Sequence, residues 1–200
     1  FCLICGEIST KAKVDYDAVA REAIRAIGYT REGDGFNADT VEIQCRIHTQ
    51  SADIAMGTND QVGGAGDQGM MFGGACTQTP ELMPMPIALA RALSNRLTEC
   101  IHENKNLRAD GKTQVSVEFD EDGNVVGVDT VVVSVMHSAD FPMEELRKYI
   151  ADEVIAPVLA KYGFRMEDVN HIYINPTGNF VIGGPNGDTG LTGRKIIVDT

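Results

Sequence analysis

KTQVSVEFDEDGNVVGVDTVVVSVM, residues 112–136, is the stretch that decides the fold. Val115, Val117 and Phe119 alternate with polar residues, the period of a strand with one face inward. DEDGN at 120–124 is turn chemistry, and an apolar run from 125 to 136 follows it. Together they predict a β-hairpin. Helical patterns flank it. Ala90, Leu93, Leu97 and Ile101 recur at helical spacing and predict a helix over 86–103. Pro142 opens another, with Met143, Leu146, Ile150 and Val154 on its core face. Pro157 kinks or interrupts that helix, and Gly163 ends it. Short strands are expected at 171–174, 180–182 and 196–198.

The N-terminal side continues the mixture. FCLICGEIST at 1–10 reads as a strand running into a polar turn. Asp15 caps a helix over 16–27, with Val19, Ala23, Ala26 and Ile27 on one face and Gly28 at its end. Val41, Ile43, Cys45 and Ile47 alternate as a half-buried strand. Residues 51–69 read as a long loop, a feature that in compact domains often carries function. A hairpin among helices, without regular strand–helix alternation, argues an α+β fold. No internal repeat is visible in the letters.

The 200 residues, 43% apolar, allow one large domain or parts of two. No 18-residue apolar run is present. Five scattered cysteines, with no second CxxC beside Cys2 and Cys5, read as buried free thiols rather than a zinc or redox site. A net charge of −12 argues against a general nucleic-acid footprint. It also means that an anionic nucleotide needs local cations or Mg²⁺ to offset the global field.

Two glycine-rich stretches suggest such a ligand. GGPNGDTGLTGRK at 183–195 holds five glycines, the lone carboxylate Asp188 and the pair Arg194 and Lys195. GGAGDQG at 63–69 carries Asp67. Glycines let backbone N–H groups approach phosphate, and Arg and Lys supply charge-assisted bonds. Neither loop fits the P-loop or dinucleotide fingerprint. On composition alone each is more often a chain reversal.

The order of blocks is far more specific. GEIST (6–10), TQSADIA (49–55), GAGDQG with MMFGGA (64–75), LMPMPI (82–87), DGKTQV (110–115), INPTG (174–178) and GLTGRKIIVDT (190–200) resemble the S-adenosylmethionine synthetase (methionine adenosyltransferase) family along nearly the whole chain. The resemblance implies a fold of three similar α+β domains. Residues 1–57 would be part of the first, 58–63 a gating loop or linker, 64–182 the central domain and 183–200 the start of the third. It implies ATP and L-methionine as substrates, Mg²⁺ (two per site) and K⁺ as cofactors, a cytoplasmic location, and a homodimer with shared sites that pairs into a tetramer.

The same resemblance assigns roles. Lys112, Arg194 and Lys195 match triphosphate-binding positions. Asp110, Gly111, Asn179 and Phe180 match nucleotide contacts, Phe180 as the ring that stacks on adenine. Asp67 falls near the adenosyl group, Asp188 at both methionine and nucleotide, and Glu7 and Gln50 at methionine. Lys112, Asp188, Arg194 and Lys195 are the catalytic set. Without the resemblance, Lys112 reads as a solvated strand-end lysine, Asp110 as a turn residue and Phe180 as core. Asn179, SVMH at 134–137 and GGA at 73–75 depart from the commoner family residues. The family's GHPDK segment, with its Mg²⁺ ligand, and its downstream GGGAFSGKD-type loop do not occur here. The expectation is therefore an internal fragment without metal ligands of its own and inactive by itself. The alternative is a non-catalytic nucleotide-binding or assembly subunit of the same fold.

Overall fold

The computed structural model describes residues 1–58, 61, 63–65 and 69–190. It divides into two compact units, one formed by Phe1–Gly73 and the other by Gly74–Asp188. The fold is α+β.

The first unit is a parallel strand–helix–strand crossover. Strand β1 (Cys2–Glu7) pairs in parallel with β2 (Ile43–His48), Cys2 opposite Ile43 and Glu7 opposite His48. Helix α1 (Tyr16–Ile27) connects them. The Asp15 carboxylate accepts from the Ala18 N–H at 3.0 Å, and Gly28 closes the helix at φ 114°. Both caps agree with the sequence signals. Arg21 then fixes the entry to β2: its guanidinium donates to the carbonyls of Ala38 (2.7 Å) and Val41 (3.0 Å) while pairing with Asp17.

The apolar face expected on α1 is only partly buried. Ile24 is covered, whereas Val19 and Ile27 stay 54% and 57% exposed. Two strands cannot cover a whole helical stripe. The stretch 51–69, expected as a long loop, contains a short helix α2 (Ala52–Thr58). The thiols also differ from expectation. Only Cys100 is buried, and loss of water contact pushes its thiol upward; Cys5 and Cys45 are exposed, because both faces of the two-stranded sheet are open.

The second unit holds the core. Helix α3 (Met85–Glu103) packs on an antiparallel hairpin of β3 (Leu107–Phe119) and β4 (Val125–His137). Leu89, Leu93, Leu97, Val131, Val133 and Val135 are buried between them. Phe119, expected inward, is 45% exposed, because it ends β3 beside the exposed 120–124 turn, past the reach of the core. Asp120 closes the turn, its carboxylate accepting from Asp122 N, Asn124 N and the Asn124 amide.

Helix α4 (Met143–Ile150), a π-helical turn (Ala151–Ile155) and α5 (Ala156–Lys161) return the chain to β5 (His171–Ile174), which pairs in parallel with β4. The interruption follows from Pro157. It has no N–H for the Glu153 carbonyl four residues back. That carbonyl accepts instead from the Arg96 guanidinium of α3 at 2.9 Å and from the Cys100 thiol. Each unit thus contains a parallel β–α–β crossover, a likeness invisible in the letters.

Candidate functional site

Thr113 orients β3. Its hydroxyl donates to the Ala90 carbonyl of α3 at 2.7 Å, so Thr113 faces the helices and its neighbour Lys112 faces away. Lys112 stands opposite Ser134 and shares its face with Gln114 and Ser116. Among the described residues no carboxylate pairs with Lys112. Gly111 is where β3 lies closest to α3. A Cβ there would come 2.8 Å from Leu97 Cδ2 and 3.1 Å from the Ser134 carbonyl oxygen.

The edge of β4 organises the rest. β5 pairs with it from Thr130 to Val133. Asn175 then takes over, 1% exposed and at φ 42°. Its N–H donates to the Val133 carbonyl, and its side-chain amide bonds both the N–H and the carbonyl of Val135, at 2.8 and 3.0 Å. The left-handed Asn175 and the Gly178 turn lead the chain off the strand path. The strand expected at 180–182 is accordingly reduced to one paired residue: Phe180, whose carbonyl accepts from His137 N at 2.9 Å and whose N–H donates to His137 Nε2 at 3.1 Å.

Asp110 anchors the next part of the loop. Its Oδ2 accepts from Gly184 N at 2.7 Å, beside a short helical turn, Gly184–Gly187. Gly183 admits no side chain: a Cβ would lie 2.7 Å from Asp110 Oδ2 and from Phe180 Cε2, and 3.1 Å from Met136 Sδ. The glycines here are needed for close approach. Asp188 closes the turn through its N–H to the Gly184 carbonyl, with its side chain exposed.

Of the expected site residues, Asp110, Gly111, Lys112, Asn179, Phe180 and Asp188 belong to the second unit. Asp110 and Phe180 converge on Gly183. Glu7 and Gln50 belong to the first. Glu7 ends β1 opposite His48, and Gln50 follows two residues later, so both lie at the carboxyl ends of a parallel strand pair, where such sheets bind ligands. Asp67, Arg194, Lys195 and the strand expected at 196–198 lie outside the described residues. His137 and Asn175 escaped sequence reasoning. The one available signal was a histidine ending a long apolar strand run.

A cavity of about 590 Å³ in the second unit lies between α3 and α5 and includes none of these residues. Two of its lining cations are already paired, Arg96 with Glu99 and Lys161 with Glu81. Among the described residues no three His, Cys, Asp or Glu side chains converge to hold a metal ion, and no helix is long and apolar enough to cross a membrane.

Comparison with known families agrees with this geometry. Residues 1–52 match the N-terminal domain of S-adenosylmethionine synthetase. Residues 62–180, more than half of the chain, match its central domain. With both matches in order, and the second spanning the hairpin, its helices and the loop as far as Phe180, the chain belongs to the S-adenosylmethionine synthetase family.

Proposed function

We propose that this chain serves the synthesis of S-adenosylmethionine from ATP and L-methionine. A lone pair of the methionine sulfur forms the bond to ribose C5′. The C5′–O bond breaks, and its electron pair leaves with the triphosphate, which is then cleaved to phosphate and pyrophosphate. Little proton transfer is required. The step needs alignment and a positive charge where the leaving oxygen becomes negative.

The observation that carries this reading is Lys112, a cation that no carboxylate of the described residues pairs with, two residues from the Asp110 carboxylate that anchors the Phe180–Gly184 loop. In this reading Lys112, Arg194 and Lys195 meet the triphosphate. Asp110, Gly111, Asn179 and Phe180 hold the nucleoside, with Asp67 near the adenosyl group. Glu7 and Gln50 hold methionine, and Asp188 serves both methionine and the nucleotide. Residues 58–63 are the gating loop or linker. Mg²⁺ and K⁺ belong to the reading through the family. No step is assigned to either ion, because the described residues offer no metal-binding cluster.

The cytoplasm and a homodimer or dimer of dimers complete the proposal. The open face of the β3–β4–β5 sheet is mixed, with Gln114 and Ser116 beside Val132 and Tyr173. Sedimentation of the intact protein reads its assembly directly. The activity itself is tested by incubating the intact protein with ATP, methionine, Mg²⁺ and K⁺ and detecting product by mass spectrometry. Product formation is expected. ATP binding without product would favour the non-catalytic subunit.

A further inference from the structure

Phe180 is held by one residue. Both of its peptide groups bond to His137, the carbonyl to the backbone N–H and the N–H to Nε2. The other ring nitrogen, Nδ1, lies 2.9 Å from the Ser138 carbonyl oxygen. A peptide N–H can only donate and a carbonyl can only accept. Nε2 must therefore offer its lone pair and Nδ1 must carry the proton. Only one neutral tautomer satisfies both contacts. His137 is 2% exposed, so water does not compete. Ser138 is fixed in turn, its N–H donating to the Asn106 carbonyl at 2.8 Å.

Resting on the function just given, we propose that His137 is a positioning residue for the nucleotide base, acting through Phe180. The loop has two anchors, His137 at residue 180 and Asp110 at residue 184. Between them Val181 and Ile182 are exposed and add little hold. The Phe180 ring packs against Gly183, so fixing the peptide of Phe180 sets the ring in advance. A ring already in place loses no ordering entropy when a base stacks on it. Without the Nε2 contact the N–H of Phe180 has no partner, and its peptide is held only by the backbone bond from His137 N and by the Asp110 anchor at residue 184.

The variants discriminate by reach. In His137→Gln, Oε1 comes near the position of Nε2 and can accept from Phe180. In His137→Asn the side chain ends near Nδ1 and cannot. ATP affinity of the intact protein, measured by calorimetry, should fall about tenfold in His137→Asn, the cost of one lost hydrogen bond. It should recover in His137→Gln to within about threefold of the parent. A purely structural role would lower thermal stability without this recovery. Equal ATP affinity in His137→Asn and the parent overturns the proposal, as does equal loss in both variants. Nitrogen NMR of the unsubstituted protein tests the same point without any variant. It should show a protonated Nδ1 and a bare Nε2, and the opposite tautomer overturns the proposal. If the parent binds ATP but makes no product, the assigned reaction fails while the role of His137 in base binding stands. A parent that binds no ATP overturns both.

Discussion

Gly111 stands where a side chain cannot. Leu97 is buried on the face of α3 that meets the sheet and the Ser134 carbonyl belongs to β4, so neither yields easily. Gly111→Ala should cost about 1–3 kcal/mol through overpacking, seen as a lower denaturant midpoint with an unchanged slope. An unchanged midpoint would contradict the close approach. Its neighbour Lys112 should behave oppositely. It is exposed and has no carboxylate partner among the described residues, so Lys112→Ala should leave the melting temperature nearly intact. Turnover in the intact protein should fall about 10²–10³-fold, the usual loss for one preorganised charge-stabilising group. Near-parental turnover would remove Lys112 from the reaction.

Elements were legible wherever local chemistry specified them. The DEDGN turn is the clearest, and it carries a pH dependence. The side-chain bond from Asn124 is the first cause holding the Asp120 carboxyl below its ordinary value of 3.8, with the backbone N–H groups adding to it. A carboxyl lowered on folding stabilises the fold above its unfolded value and loses that contribution as pH falls through the folded one. The turn should be fully formed at neutral pH and loosen below about pH 3.8. Amide exchange at Gly123 and Asn124 measures this, and protection that stays constant down to pH 2 would refute it. The capped helix α1, the long helix α3 and the Pro157 interruption were equally legible, since each depends on residues within a few positions. Phe119 and residues 180–182 were not. The place of Phe119 at the turn end of the hairpin sets the first, and the buried Asn175 sets the second.

At the scale of the whole molecule the two units differ in how much they bury. The second has a continuous core from α3 through β4 to α5, including Leu89, Val133, Ile150 and Leu159. The first buries Ile24, Tyr29, Ala38 and Val41 but leaves Leu3, Val19 and Ile27 largely exposed. Residues 74–188 produced alone should therefore unfold in one cooperative transition, with helical and strand signals melting together. Residues 1–73 alone should bind a hydrophobic dye more strongly per residue, given their uncovered apolar surface. A non-cooperative melt of residues 74–188 would show that this core is insufficient.

Short-range chemistry was enough to settle the α+β class, the hairpin, the helix ends and the family, because turn residues, caps and motif order are all written in consecutive letters. The candidate site is a different matter. Asp110 meets Gly184 across 74 positions and His137 meets Phe180 across 43. No periodicity encodes such separations. Whether Asp110 anchors a loop or lies free, and whether His137 is buried filler or a clamp, depends on how β3, β4 and the glycine loop close on one another. Only the tertiary structure decides that, because the partners are backbone groups that look alike at every residue of the sequence.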